Sequence, residues 1–211
     1  CFGIGCKILS GYDYVNNDAD PLDDHGHGTH VAGIAAANGL LRGIAPDASI
    51  VALKACNASG SCFTSAIEDS LKWCVDNSAQ FNISVISMSF GTTSLFSSYC
   101  DSDPAFEDWA KQVNAAAEKN ISVVAAAGND ASISGIASPA CIKNITSVGA
   151  TTKADAIASF TNRNNITDLL APGSGINSTY SSGYATLSGT SMSVPHVSGA
   201  FALLRSYMKL Q

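Results

Sequence analysis

The chain has 211 residues, 46% of them hydrophobic and 13% charged, with a net charge of −6. That is enough apolar material for the core of one globular α/β-sized domain spanning 1–211. The lysines and arginines are scattered, which excludes a nucleic-acid footprint and a basic membrane-binding face. Apolar runs such as Ile121 to Ala127 are far too short for a transmembrane helix, and Cys1 to Cys6 lacks both the charged and the apolar region of a signal peptide.

In chain order, Lys7 to Val15 reads as a strand with Gly11 a candidate bulge, running into the polar loop Asn16 to Asp24. Asp13, Asn16, Asp18 and Asp20 are close enough in sequence to converge on one hard cation, with calcium the candidate and Pro21 holding the turn. An acidic, solvated turn is the competing reading. His25-Gly26-His27-Gly28-Thr29-His30 then opens a helix of small apolar residues. Three histidines in six residues raise the question of metal. His27 and His30 are at i and i+3 without the glutamate of helical zinc proteases, so metal is the minor reading there.

Ile50 to Ala55 is a strand candidate, Thr64 to Val75 has helical periodicity, and Val85 to Met88 is a short buried strand ending in Ser89-Phe90-Gly91. Asp103-Pro104 supplies an N-cap and a proline at the first helical position, predicting a helix with Phe106, Trp109, Val113 and Ala117 along one stripe. Ile121 to Ala127 is an apolar strand that stops at Gly128-Asn129-Asp130, and Ile145 to Ala150 and Thr167 to Ala171 add two more. Buried strands alternating with helices predict a doubly wound α/β fold, a mainly parallel sheet with helices on both faces. Its site belongs beyond the carboxyl ends of the strands. His27, Gly91, Asn129 and Ser191 all fall where an element begins or ends.

Near the C-terminus, Gly189-Thr190-Ser191-Met192-Ser193-Val194-Pro195-His196 leads into an apolar helical pattern. Ser191 at a helix N-terminus is placed either as a nucleophile, with backbone N–H groups and the helix dipole to meet an oxyanion, or as a simple cap.

Of the seven cysteines, at 1, 6, 56, 62, 74, 100 and 141, no pair has the spacing of a zinc knuckle or thioredoxin-like motif. Short Gly- and Ser-containing loops suit bridges Cys1–Cys6 and Cys56–Cys62, with a long-range Cys100–Cys141. Cys74, on the apolar side of its helix, reads as a buried free thiol. Disulfides imply an oxidising compartment, and six Asn-x-Ser/Thr sequons, at Asn57, Asn82, Asn120, Asn144, Asn165 and Asn177, agree with secretion without adding much weight in a chain so rich in Asn, Ser and Thr.

His27-Gly28-Thr29-His30-Val31-Ala32-Gly33, Ala125-Ala126-Ala127-Gly128-Asn129 and Gly189 to His196, in that order, resemble the histidine, oxyanion-asparagine and serine motifs of the subtilisin-like serine proteases. The resemblance covers nearly the whole chain. It implies His27 as general base, Ser191 as nucleophile, and Asn129 with the Ser191 N–H as the oxyanion hole; His30 is then structural. Ser89-Phe90-Gly91 and Ala126-Ala127-Gly128 match the segments that hold an extended substrate as an added strand. Gly11 to His27 is most similar to thermitase-like members, which implies a structural calcium ion held by Asp13, Asn16, Asp18, Asp20 and the Leu22 carbonyl. The short Asn38 to Gly43 turn lacks the loop of the family's tight calcium site.

The resemblance further implies a secreted endopeptidase acting on polypeptides, a propeptide in the precursor, and a broad preference for apolar or medium-sized side chains. The family's Asp-Ser/Thr-Gly motif does not precede His27. By resemblance, an interior strand of the sheet and the C-terminal elements are then missing from residues 1–211, which are expected to be poorly stable and weakly active alone. A pseudoprotease or peptide-binding module is the alternative, with intact His27, Asn129 and Ser191 against it. The acid proteases with a Ser-Glu-Asp site share the serine motif, but the full His27 motif argues against them.

Overall fold

The computed structural model describes residues 3, 5–181 and 183–209. Strands β1 (Ile8–Asp13) and β2 (Ile50–Lys54) flank helix α1 (His27–Ala36); α2 (Thr64–Asp76) and α3 (Ser78–Phe81) lead to β3 (Val85–Met88) and β4 (Leu95–Phe96). After α4 (Glu107–Glu118) come β5 (Ser122–Ala126), β6 (Ile136–Ala137), β7 (Ile145–Thr151) and β8 (Leu169–Pro172). A hairpin of β9 (Ile176–Tyr180) and β10 (Gly183–Leu187) precedes the long helix α5 (Thr190–Lys209).

β3, β5, β7 and β8 form one parallel sheet in that spatial order, and β1 pairs with β2 in a second parallel sheet. Among the described residues no strand joins them, so β2 and β3 each keep an unpaired edge. The alternation of β5 shows why helices cover both faces. Val123 and Ala125 pack into a cluster with Ile67 and Leu71 of α2 and Trp109 and Val113 of α4. Val124 and Ala126 turn the other way, onto Val194 and Val197 of α5. Full burial of each aliphatic side chain contributes roughly 1.5–3 kcal/mol, so both layers are held by β5 in the middle.

Three expectations shift. The helix after Asp103-Pro104 starts only at Glu107: Asp103 Oδ1 accepts the Ala105 N–H at 2.9 Å in a preceding turn, and Phe106 has non-helical backbone angles of −127° and 2°. Gly11 is not a bulge; the register irregularity lies between Ile8 and Ser10. Glycine is needed there because a Cβ would stand 2.4 Å from the Pro21 ring and 2.6 Å from the Ala52 carbonyl oxygen. The last strand of the sheet begins at Leu169 rather than Thr167, because Thr167 Oγ1 accepts the Asn164 N–H at 3.0 Å in a turn.

Disulfides Cys56–Cys62 and Cys100–Cys141 form, and Cys74 is a buried free thiol, its pKa pushed up to about 12 by burial. The Cys1–Cys6 bridge involves Cys1, which lies outside the described residues. No described helix is long and apolar enough to cross a membrane.

Candidate active site

Ser191 is the second residue of α5. Pro195 sits inside that helix and has no N–H, so the Ser191 carbonyl, four residues earlier, loses its helical partner. The Ser89 hydroxyl supplies the replacement, donating to the Ser191 carbonyl oxygen at 2.8 Å, and the Ser191 hydroxyl donates in return to the Ser89 carbonyl oxygen at 3.1 Å. This reciprocal pair fixes the start of α5 on the carboxyl end of β3. It also occupies the Ser89 side chain, which is buried.

Asn129 follows the carboxyl end of β5 and is exposed. Its Oδ1 accepts the Thr190 N–H at 2.8 Å and the Thr190 hydroxyl at 3.1 Å. Thr190 is fully buried and its Oγ1 also accepts the Gly128 N–H at 3.2 Å. With Oδ1 fixed by two donors, the amide can face only Nδ2 outward, beside the first turn of α5. Asn162, also fully buried, ties down both flanks of this residue. Its N–H donates to the Gly128 carbonyl oxygen at 2.9 Å, and its Oδ1 accepts the N–H groups of Asp130 and Ser132 at 2.9 and 3.0 Å.

His27 is the first residue of α1, after Gly26 in the left-handed region at φ 98°. A Cβ at Gly26 would meet the Tyr180 ring at 2.6 Å, so the turn needs glycine twice over. Asp23 holds the turn together: Oδ1 accepts the N–H groups of His25 and Gly26 at 3.0 and 2.8 Å, and Oδ2 accepts the N–H and hydroxyl of Thr29, both at 2.6 Å. Burial alone would raise the Asp23 carboxyl, but these donors outweigh it and hold it below the usual range. Burial pushes the His27 imidazole down, with His25 and His30 adding to the fall and Asp23 opposing it. The shift favours the neutral form of the ring. His30 is fully buried, with Nε2 3.0 Å from the Ala185 carbonyl oxygen, and serves α1 packing.

β3 and β5 pair only as far as Met88 and Ala125. Beyond that point Ser89-Phe90-Gly91 and Ala126-Ala127-Gly128 continue apart, with the Ala137 side chain between them: a Cβ on Gly91 or Gly128 would come within 3.1 or 3.2 Å of the Ala137 Cβ. The N–H groups of Ala127 and Gly128 go to the Val148 carbonyl at 3.0 Å and to Thr190 Oγ1. Those two residues therefore form a wall, and neither N–H is available to an added strand.

Of the calcium set, Asp13 meets Asn16 through its side chain and Asp18 through the backbone. The Asp13 carboxylate, 2% exposed, accepts the N–H groups of Val15 and Asn16 at 2.7 and 3.0 Å, the Asn16 side-chain amide at 2.9 Å, and the Lys54 ammonium at 2.8 Å. Lys54 also reaches Asp24 at 3.1 Å. Asp18 and Asp20 are exposed and accept the N–H groups of Asp20 and Leu22 at 2.9 and 3.2 Å, and Leu22 is itself exposed. Among the described residues no three His, Cys, Asp or Glu side chains converge to hold a metal. A cation is already present in the form of Lys54, so the set of Asp13, Asn16, Asp18, Asp20 and Leu22 does not fit calcium. The acidic-turn reading is the better account of this loop.

Asp23, Thr190, Asn162 and Ala137 are the residues that sequence reasoning missed. Only Asp23 carried a signal, an Asp three residues before Gly26.

A family model described as Subtilase family, Peptidase S8, matches residues 7–210. The chain belongs to the subtilase family, a family of serine proteases, and has its mainly parallel α/β fold. A thermophilic serine proteinase from Bacillus sp. (strain AK1) is 42% identical over 205 residues, covering 95% of this chain and 47% of the relative. Thermitase from Thermoactinomyces vulgaris is 40% identical over 205 residues, covering 95% and 68%. The crystal structure of a cold-adapted subtilisin-like serine proteinase superposes with a TM-score of 0.81 at 36% identity, again covering 95% of this chain and 68% of the other. The chain thus spans about half the length of the Bacillus relative.

Proposed function

We propose that residues 1–211 are the central part of the catalytic domain of a secreted subtilisin-like endopeptidase. Ser191 is the nucleophile, His27 the general base, and Asn129 Nδ2 with the Ser191 N–H the oxyanion hole. His27 takes the Ser191 hydroxyl proton as the oxygen attacks the peptide carbonyl; the tetrahedral oxyanion is met by the two donors; the amine leaves with the proton from His27, and water hydrolyses the acyl-enzyme.

The orientation of Asn129 carries this reading, because an amide whose Oδ1 is held by Thr190 has its donor end preplaced. Helix contact supports it as well. A Cβ on Gly199 would lie 3.1 Å from the Ala35 carbonyl oxygen, and these two residues are each eight positions beyond Ser191 and His27.

No carboxylate bonds the His27 ring among the described residues, and the oxygens of Asp23 are spent on N–H and hydroxyl donors. We assign the orienting aspartate to a further strand that fills the unpaired edges of β2 and β3 in the full-length protein. A precursor propeptide and a broad apolar or medium-sized preference belong to the same reading.

The test is labelling of the full-length protein with a serine-directed fluorophosphonate. Endopeptidase action predicts stoichiometric label on Ser191, lost in Ser191→Ala, together with cleavage of a polypeptide substrate. A pseudoprotease predicts an unlabelled, intact groove, and that result would reject the proposal.

A further inference from the structure

Four of the six sequons share a structural address that the sequence alone does not display. Asn82-Ile83-Ser84, Asn120-Ile121-Ser122, Asn144-Ile145-Thr146 and Asn165-Ile166-Thr167 each enter a different strand of the four-stranded parallel sheet. Their asparagines lie three, two, one and four residues before the first residues of β3, β5, β7 and β8, respectively. All four asparagines are exposed, while the isoleucines that follow are buried or half-buried.

Strand entry explains part of this. Asn82 and Asn120 adopt left-handed angles, at φ 51° and 58°, which asparagine tolerates, and isoleucine anchors the strand in the core. Neither requirement calls for a hydroxyl two positions on, and neither Asn144 nor Asn165 has a positive φ. In the folded chain Thr167 Oγ1 accepts the Asn164 N–H, the Ser122 hydroxyl accepts the Arg205 guanidinium at 3.1 Å and Asn144 Nδ2 donates to Asn114 Oδ1 at 2.8 Å, so these local partners differ from site to site. What all four sites share is the acceptor triplet itself, with its asparagine exposed.

The geometry points to the amino-end edge of this sheet as a face that carries N-linked oligosaccharide on Asn82, Asn120, Asn144 and Asn165. Transfer forms a bond from the asparagine Nδ2 to the anomeric carbon of the sugar. It breaks the bond from that carbon to the phosphate of a lipid-pyrophosphate donor, which leaves as the lipid pyrophosphate, and the Nδ2 proton passes to a base of the transferase. The hydroxyl is needed only while the chain is unfolded. The asparagine must remain in water afterwards, because a polar oligosaccharide cannot be buried.

The strands are parallel, so this edge is the one opposite Ser89, Asn129 and Ser191. The five residues of β5 alone put roughly 16 Å between them, and sugar there leaves the groove open. The other two sequons lack this address. Asn57 Oδ1 accepts the N–H groups of Ser59 and Ser61 within the Cys56–Cys62 loop, where Gly60 approaches the His25 ring. Asn177 lies inside β9.

The inference rests on the secreted reading given above. Its test is full-length protein taken from the culture medium of the organism that makes it, treated with peptide N-glycosidase in heavy-oxygen water and mapped by peptide mass. Heavy-oxygen aspartate at two or more of Asn82, Asn120, Asn144 and Asn165 is the expected result. Label at fewer than two of them, or only at Asn57 and Asn177, overturns it. Changing all four to glutamine should remove the label and leave turnover of a short peptide unchanged; a protein that carries sugar but takes no fluorophosphonate fails the protease reading alone.

Discussion

The two halves of the site are built to different standards. Around Ser191 and Asn129 the supports are buried side chains, Thr190, Asn162 and Ser89, each committed to a backbone or amide partner. Around His27 the support is one carboxylate, Asp23, and hydroxyls of β9 on backbone carbonyls, among them Tyr180 on His25 and Thr179 on Thr29, in a loop where Asp24 and His25 are exposed. The oxyanion half is complete within the described residues, and the base half has its backbone fixed but its ring unanchored. On the proposed reading, charge stabilisation needs donors that do not move, whereas the base must also take and return a proton, and its orienting group is assigned to another part of the protein.

The largest effect that tests this contrast lies in the first half. Asn129→Ala in the full-length enzyme should lower kcat about a hundred- to a thousandfold with KM little changed, a scale taken from subtilisin itself. Thr190→Val, which removes the hydroxyl that donates to Asn129 and accepts the Gly128 N–H, should cost roughly tenfold in kcat, for a loss of about 1.4 kcal/mol. If Thr190→Val matches Asn129→Ala, the donor has no placement of its own.

In the second half, Asp23→Ala should lower the stability of the protein by about 1–2 kcal/mol, read from denaturant melts, through loss of the α1 cap. Asp23→Asn, which keeps an acceptor, should recover part of it. The smallest effect is in proton binding. With its pKa held down by burial, His27 in residues 1–211 should titrate below the ordinary imidazole range, about 6.5, as followed by NMR of the ring protons. A histidine with a depressed folded-state value contributes stability above its unfolded pKa and loses it as pH falls through the folded value. In the full-length protein the added carboxylate should move the titration upward; equal values in the two forms would mean that no carboxylate reaches the ring.

Much of this was legible in the chain. The strands at Val85 to Met88 and Ile145 to Ala150, the helix at Thr64, the Cys56–Cys62 disulfide and the buried Cys74 follow from apolar period and loop composition, whereas the Cys100–Cys141 pairing carries no such local signal. The motifs around His27, Asn129 and Ser191 placed their residues at element ends, where the structure has them. What was not legible is partnership over long separations. Counting Asp13, Asn16, Asp18 and Asp20 could not show that Lys54, 41 residues on, delivers an ammonium into the same turn. Likewise, nothing near Pro195 announces that Ser89, 102 residues before Ser191, takes up the carbonyl the proline leaves unpaired. The β9–β10 hairpin also escaped notice, since its short strands mix polar and apolar residues without a clear alternation.

If the proposed activity holds, the enzyme works in a solution of its own copies, and every exposed loop is a potential target of autolysis. The Cys100–Cys141 bridge closes a stretch of 41 residues that contains α4, β5 and Asn129. A single cut anywhere between those cysteines leaves both new ends covalently tethered to the molecule. The segment that carries Asn129, the proposed oxyanion donor, is thereby kept tethered to the sheet that holds Ser191, even in a nicked chain.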